Sequence, residues 1–277
     1  MKRIKDLISD WRLPIFEIIV IIAAFIVSYK LKIATLILEI IKNNGIDIEA
    51  LKYYLLAKKG GNVGFAIAIA IAVWWLGVRK YNKDKQLNKG NIYHDHTYFW
   101  YWYCSRIMGF KECNLQRVPI PMIFKLVIRD CFDEYYYGDD SDYQEKEDES
   151  IEVSPAKRKY TDAVNLVLSD TYPIEKEMLP SSVADKTTVW IKRDNKKEQC
   201  RCYSKAFVRS VQITVNNFPN NVTSINLFST LNPKHCRLIA EQVFKKAGRG
   251  SISSLRVYHQ NCIGGIWFFS EKGKKIY

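Results

Sequence analysis

The chain carries no Walker motif, no Rossmann glycine pattern, no zincin His-Glu pair and no serine elbow. The common signatures of phosphate-loop, dinucleotide, metalloprotease and hydrolase chemistry are therefore missing from its 277 residues. Glycine and proline are modest at 13 and 8, which excludes a collagen-like or low-complexity chain. The seven cysteines are Cys104, Cys113, Cys131, Cys200, Cys202, Cys236 and Cys262. An odd number at scattered spacings makes a poor disulfide framework, and a reducing compartment is the simpler reading. Acid is missing from one region in particular. Between Gln199 and Ser270 the only carboxylate is Glu241.

What is present is apolar and aromatic: 48% hydrophobic residues and 13% aromatics, too much for a disordered chain. The mean hydropathy of -0.19 averages two unlike parts. Leu13 to Tyr29 is an apolar run with one acid, Glu17, placed where the headgroup region would reach it. As a helix it spans about 25 Å, near the lower limit for crossing a bilayer. Lys2, Arg3 and Lys5 precede it as in a signal peptide, but no small-residue cleavage site follows. Val63 to Val78 is uncharged and ends in Trp74 and Trp75 before Arg79 and Lys80, the arrangement of a membrane boundary. Gly64, Ala68 and Ala72 recur every fourth residue, and small side chains at that spacing allow close helix association. Residues 33–59 leave two possibilities open: a long broken membrane helix, or a turn at Lys30 followed by an interfacial amphipathic stretch over 46–59. The two ends of residues 1–80 have the denser basic flanks. That favours a two-pass hairpin with both termini cytoplasmic.

A basic connector covers 81–97, and residues 98–277 read as a soluble α+β domain. Tyr98 to Tyr103 are six consecutive aromatics, which call for packing on both faces of a strand or helix. Residues 123–128, 163–169, 187–191, 207–215, 222–228, 253–258 and 264–269 read as strands. Asn232 and Pro233 open a helix that Gly248 stops. An acidic loop over 139–152 holds eight acids and one base. Residues 181–277 hold 17 bases and five acids, a net of +12 out of +13 for the chain. A field of that sign attracts RNA, DNA, nucleotides or anionic lipid. The contributing residues outside the acid-rich part are Arg201, Lys205, Arg209, Lys234, Arg237, Lys245, Lys246, Arg249 and Arg256. Gly248 to Ser251 forms a turn whose amides suit a phosphate.

No catalytic set assembles from these residues, so the chain reads as non-enzymatic and without a cofactor. Two weak metal pairs exist, His94 with His96 and Cys200 with Cys202, each facing one side of an extended segment. Their one-residue spacings differ from the usual zinc knuckles.

Hairpin, connector and basic domain together resemble a small membrane effector of bacterial anti-phage systems. The blocks NIYHDHTYFWYWYC, PIPMIFKLVI and PKHCRLIAEQVFKKAG have the look of family segments. The layout is similar to the two-transmembrane effector that accompanies a reverse transcriptase and its structured RNA in retron operons. The resemblance implies a toxin that perturbs the membrane once a cytoplasmic sensor is disturbed. Its partners would be the lipid bilayer, further copies of itself, and either a reverse transcriptase with RNA or a nucleotide signal. The alternatives are a membrane-tethered sensor of nucleic acid or nucleotide, and a membrane-anchored nuclease.

Overall fold

A computed structural model describes residues 2–43, 60–90, 92–139, 143, 151–154, 159–193, 202–245 and 251–277. The chain divides into two compact units, one of residues 1–90 and 99–112 and one of residues 91–98 and 113–277. The aromatic run that the sequence assigns to the soluble domain thus falls largely in the first unit.

The first unit begins with helix α1, Lys2–Lys30, and helix α2, Ile33–Asn43. Lys32 adopts a left-handed φ of 50°, and this breaks the helix where Lys30 and Lys32 interrupt the apolar run. Helix α3 follows over Asn62–Lys83, widening to a π-type turn at Val73–Val78. Residues 46–59 lie outside the described residues. Helices α1 and α3 pack together, with Ala66 fully buried between them. Ile15, Phe16, Ile19, Ile22, Ile67, Ile71 and Leu76 point outward. A core helix of a soluble domain would bury these side chains, whereas lipid solvates them. Arg79 closes the second span over the rings of Trp74 and Trp75, at 5.6 and 5.0 Å from their centroids.

Helix α4, Tyr98–Trp102, continues through a wide turn at Tyr103–Ile107. Trp100 and Tyr101 are buried, while Phe99 is 69% exposed and stacks on Trp102. The run is a helix with one apolar face inward, so the expected two-sided packing holds only in part. Its trailing carbonyls cap the second span. Trp74 Nε1 donates to the Ile107 carbonyl at 2.8 Å, and Arg79 donates to the Arg106 carbonyl. Gly109, at φ +88°, lets this segment pass Arg79: a Cβ there would lie 3.0 Å from the Arg79 Cα. Glu17 faces the end of α3. It is buried and accepts a 3.0 Å hydrogen bond from Asn82 Nδ2, which also donates to the Met108 carbonyl at 3.0 Å. A buried carboxylate needs such a donor, and α3 supplies it. Strand β1, Gln86–Leu87, follows α3 in this unit.

The second unit holds short strands β2, Glu112–Asn114, and β3, Glu134–Tyr136, with helix α5, Ile120–Ile128, between them. Residues 123–128 are therefore helical, contrary to the strand expectation. The prolines of the VPIP segment do not break this helix; Pro119 is its N-cap and Pro121 sits in its first turn, where a missing N–H is harmless. Met122 with Leu126, and Ile123 with Val127, then form the buried stripe. Residues 207–215 give the same correction. They lie in helix α6, Lys205–Asn216, capped by Ser204 Oγ, with Phe207, Val208, Val211 and Val215 buried at helical spacing.

The remaining strands build one six-stranded sheet in the order β11-β8-β7-β5-β6-β4. They are β4 Ile151–Ser154, β5 Ala163–Ser169, β6 Thr187–Arg193, β7 Ser224–Ser229, β8 Ser254–Val257 and β11 Lys274–Lys275. The four central strands run parallel, and β4 and β11 pair antiparallel at the edges. Strands β9, Gln260–Ile263, and β10, Ile266–Phe269, form a separate hairpin. Helix α7, Pro233–Ile239, continues to Phe244 and packs beside α5 and α6. The mixed helix-and-sheet domain expected after the hairpin is present, but its sheet centre is parallel, which local patterning did not reveal.

Handedness explains the layers. The crossover from β5 to β6 moves one way along the sheet, and those from β6 to β7 and from β7 to β8 move the other way. Right-handed crossovers must then lie on opposite faces. One face carries α5, α6 and α7; the other carries Val167, Ile174, Val183, Phe228, Tyr258 and Phe269 as a core. Tyr258 stacks on Phe228 at 4.3 Å, and Gly273 leaves room for it, since a Cβ there would come within 2.6 Å of the ring. Buried on both faces, β5 reads as a continuous apolar run broken only by Asn165. Asn165 bridges its strand neighbours, donating to Thr188 Oγ1 and accepting from Asn226 Nδ2.

Candidate functional site

Strand order reverses between β5 and β7, and the carboxyl ends of parallel strands at such a reversal are where open α/β sheets take their ligands. Asp170 is the first residue after β5. Its Oδ1 accepts from Arg193 Nη1, at the end of β6, at 2.7 Å. Its Oδ2 accepts from His235 Nδ1 at 2.7 Å and from the Asn232 backbone N–H at 3.1 Å. The side chains of Asp170, Arg193 and His235 are fully buried. His235 Nε2 accepts from the Ser204 N–H at 3.0 Å, so the hydrogen-bond network assigns the proton to Nδ1 and leaves the ring neutral. One carboxylate and one guanidinium balance. Arg193 Nη1 also donates to the Cys202 carbonyl at 3.0 Å, and Asn232 Nδ2 donates to the same oxygen at 3.2 Å.

Four element ends are thus tied in one knot: those of β5 and β6, and the caps of α6 and α7. Burial opposes ionisation of Asp170, but His235 and Arg193 outweigh it and hold the carboxyl below its ordinary range. The loops above the knot are laced together as well. Thr171 N–H donates to the Thr230 carbonyl at 3.1 Å, and Thr230 Oγ1 donates to the Tyr172 carbonyl at 2.7 Å. With both ring nitrogens engaged, His235 orders this floor and is not placed as a general base.

Lys234, in the first turn of α7, stands at the rim. Its ammonium lies 5.4, 5.5 and 4.8 Å from the ring centroids of Tyr137, Tyr143 and Tyr203, and Arg237 lies 5.5 Å over Tyr137. Tyr143 is buried and donates to the Tyr137 carbonyl at 2.8 Å. A cation among three aromatic faces is a cation–π arrangement.

A family profile described as the SMODS- and Ubiquitin system-associated 2TM effector domain matches residues 4–276. The chain belongs to this 2TM effector family. It is accordingly a membrane protein with two spans, Asp10–Lys30 and Asn62–Lys83, followed by a mixed α/β domain. No curated protein matches it. Among solved structures, this effector is similar to the Acinetobacter baumannii Cap4 SAVED/CARF-domain containing receptor with the cyclic trinucleotide 3'3'3'-cAAA. That match has 10% identity and a TM-score of 0.43, covering 64% of this chain and 41% of that one. The same receptor with 2'3'3'-cAAA gives 9% identity and a TM-score of 0.44, again over 64% and 41%.

The effector's basic residues are spread over several elements. Lys205 and Arg209 are exposed one turn apart on α6, and Arg256 is exposed on β8. Lys234 and Arg237 share a face of α7 at the tyrosine rim, and Lys245 pairs with Asp130 at 2.5 Å. Arg201, Lys246 and Arg249 lie outside the described residues, as do Gly248 to Gly250 and most of the acidic loop. Gly64, Ala68 and Ala72 face away from α1; it is Ala66 that the hairpin buries. A Cβ on Gly64 would meet nothing within 4 Å. His94 and His96 are both buried, with ring centroids 6.4 Å apart. Cys202 is disulfide-bonded, and Cys200 lies outside the described residues. Cys104, Cys113, Cys131, Cys236 and Cys262 are not disulfide-bonded. Sequence reasoning missed Asp170, Arg193 and the tyrosines. The only local signal was charge in otherwise apolar strand ends.

Proposed function

We propose that this 2TM effector binds a nucleotide signal at the crevice above β5 and β7 and answers by perturbing the bacterial inner membrane. The parallel-sheet reversal supports the sensing half. Lys234 and the Tyr137, Tyr143 and Tyr203 rings cluster at the start of α7, which follows β7 at the strand ends where such sheets receive ligands. Tyr137 and Tyr203, both half-buried, offer ring faces for a base, and Lys234 with Arg237 offers charge for phosphate. The buried knot of Asp170, Arg193 and His235 holds those loops in register, so ligand contact there does not spend binding free energy on ordering them.

The membrane half rests on the hairpin. The open Gly64, Ala68 and Ala72 face would allow several hairpins to associate closely, breaching the bilayer. Both termini lie in the cytoplasm in this reading, with the sensing domain on the same side. A structured RNA is the competing partner, on the exposed charges of Lys205, Arg209 and Arg256.

The test is calorimetric titration of the full-length protein in mild detergent with a panel of cyclic di- and trinucleotides, at low and high salt. A nucleotide seated against the rim should bind with little salt dependence, and Lys234→Ala and Tyr203→Ala should each abolish most of the binding. Affinity only for structured RNA, collapsing with salt through counterion release, would replace the nucleotide with the polyanion. Failure of the bound protein to release dye from phospholipid vesicles would remove the membrane half.

A further inference from the structure

The first unit contains a cavity of about 260 Å³ that the sensing function leaves unused. It is lined by Asp10, Leu13 and Pro14 from α1, by Lys85 to Lys89 just beyond α3, and by Trp100 and Phe110. We infer that it binds the phosphate headgroup of an anionic phospholipid.

Three features carry this. The first is level. The first span begins at Asp10 and the second ends at Lys83, so the cavity sits at one shared end of the two spans, where headgroups lie. The second is its division of chemistry. Pro14, Leu87, Trp100 and Phe110 are buried apolar walls, while Lys85 and Lys89 bring two ammonium groups. A phospholipid presents the same division, a phosphate joined through glycerol to hydrocarbon. Trp100 is held edge-on to Tyr101 at 5.0 Å and close to Trp11 at 6.2 Å, so the aromatic wall is already in place. The third is charge. Two lysines against Asp10 leave the cavity positive, favouring an anionic lipid over a zwitterionic one. The Lys85 ammonium now rests 3.1 Å above the Tyr81 ring, a partner that a phosphate can outcompete.

A soluble phosphate compound shares the headgroup chemistry, and the experiment separates the two sources. Full-length protein, stripped of lipid in detergent, is titrated with dioctanoyl phosphatidylglycerol, dioctanoyl phosphatidylcholine and glycerol 1-phosphate, with bound lipid read by native mass spectrometry. Phosphatidylglycerol should bind best. Lys85→Gln with Lys89→Gln should weaken it roughly thirtyfold, in line with what two juxtamembrane lysines contribute. Lys80→Gln with Lys83→Gln removes the same charge outside the cavity and should change affinity less than twofold. Leu13→Phe keeps every charge but fills space, and should weaken binding severalfold. If the cavity pair destabilises the fold, Leu13→Phe and Lys89→Gln alone decide. Equal losses from both lysine pairs would reduce the effect to diffuse surface charge and overturn the site. Glycerol 1-phosphate competing as well as the lipid would overturn the lipid assignment, as would undiminished binding in Leu13→Phe.

Discussion

Arg193→Met is the sharpest probe of the knot beneath the crevice. Methionine keeps most of the side-chain length but removes the guanidinium, leaving Asp170 buried with His235 and a backbone amide as its remaining donors. The Cys202 carbonyl keeps the Asn232 amide. Removing one partner of a fully buried ion pair costs about 3–5 kcal/mol, because the surviving charge stays desolvated. In a domain of this size that is a fall of about 6–20 °C in the melting midpoint. The assay is thermal unfolding of the full-length protein in detergent, followed by tryptophan fluorescence, since Trp190 lies in the sheet. The acid limb adds a second readout. Asp170 titrates below its ordinary range, so its contribution is complete above the unfolded aspartate value of about 3.9 and is lost as pH falls through the lower folded value. Without Arg193 the folded value moves up towards the unfolded one, so the Asp170 share of the stability lost below about pH 3.9 should shrink. An Arg193→Met protein that melts within two degrees of the parent, with an unmoved acid limb, would refute the claim that this pair holds the strand ends together.

Replacing both Ala68 and Ala72 with leucine should leave membrane insertion intact but abolish self-association and toxicity on overproduction, measured by crosslinking and growth. Ala66→Leu should act differently: it overpacks the contact between α1 and α3 at a cost of about 1–3 kcal/mol, and should lower hairpin stability whatever the assembly state. Asn82→Leu removes the donor to Glu17 and the Met108 carbonyl, and should destabilise the first unit by about 1–3 kcal/mol, seen as a lower melting midpoint in detergent.

Much of this protein could be read before folding. The hairpin follows from two apolar runs, because lipid leaves no other way to satisfy backbone groups than a helix. Strands β5, β6 and β7 follow from short apolar runs between turn residues. The start of α7 follows from Asn232 and Pro233, whose cap is local chemistry: the Asn232 side chain accepts from the His235 N–H. The two helices misread as strands, α5 and α6, have short β-branched stripes that fit either period. Only packing against the sheet and α7 settled which was used.

Local pattern carried no trace of the parallel order β8-β7-β5-β6, because pairing between strands distant in sequence leaves no mark on either strand's own period. The knot is the clearest case. Asp170 meets Arg193 across 23 positions and His235 across 65, and each looked like an ordinary polar residue beside a strand or helix end. The same holds for Lys234, legible as part of a basic excess, whose place among three tyrosines exists only once the chain has folded. Solvent preference decides which segments enter the membrane or the core, and a chain shows that residue by residue. Which charges find each other depends on topology, and the fold alone supplies it.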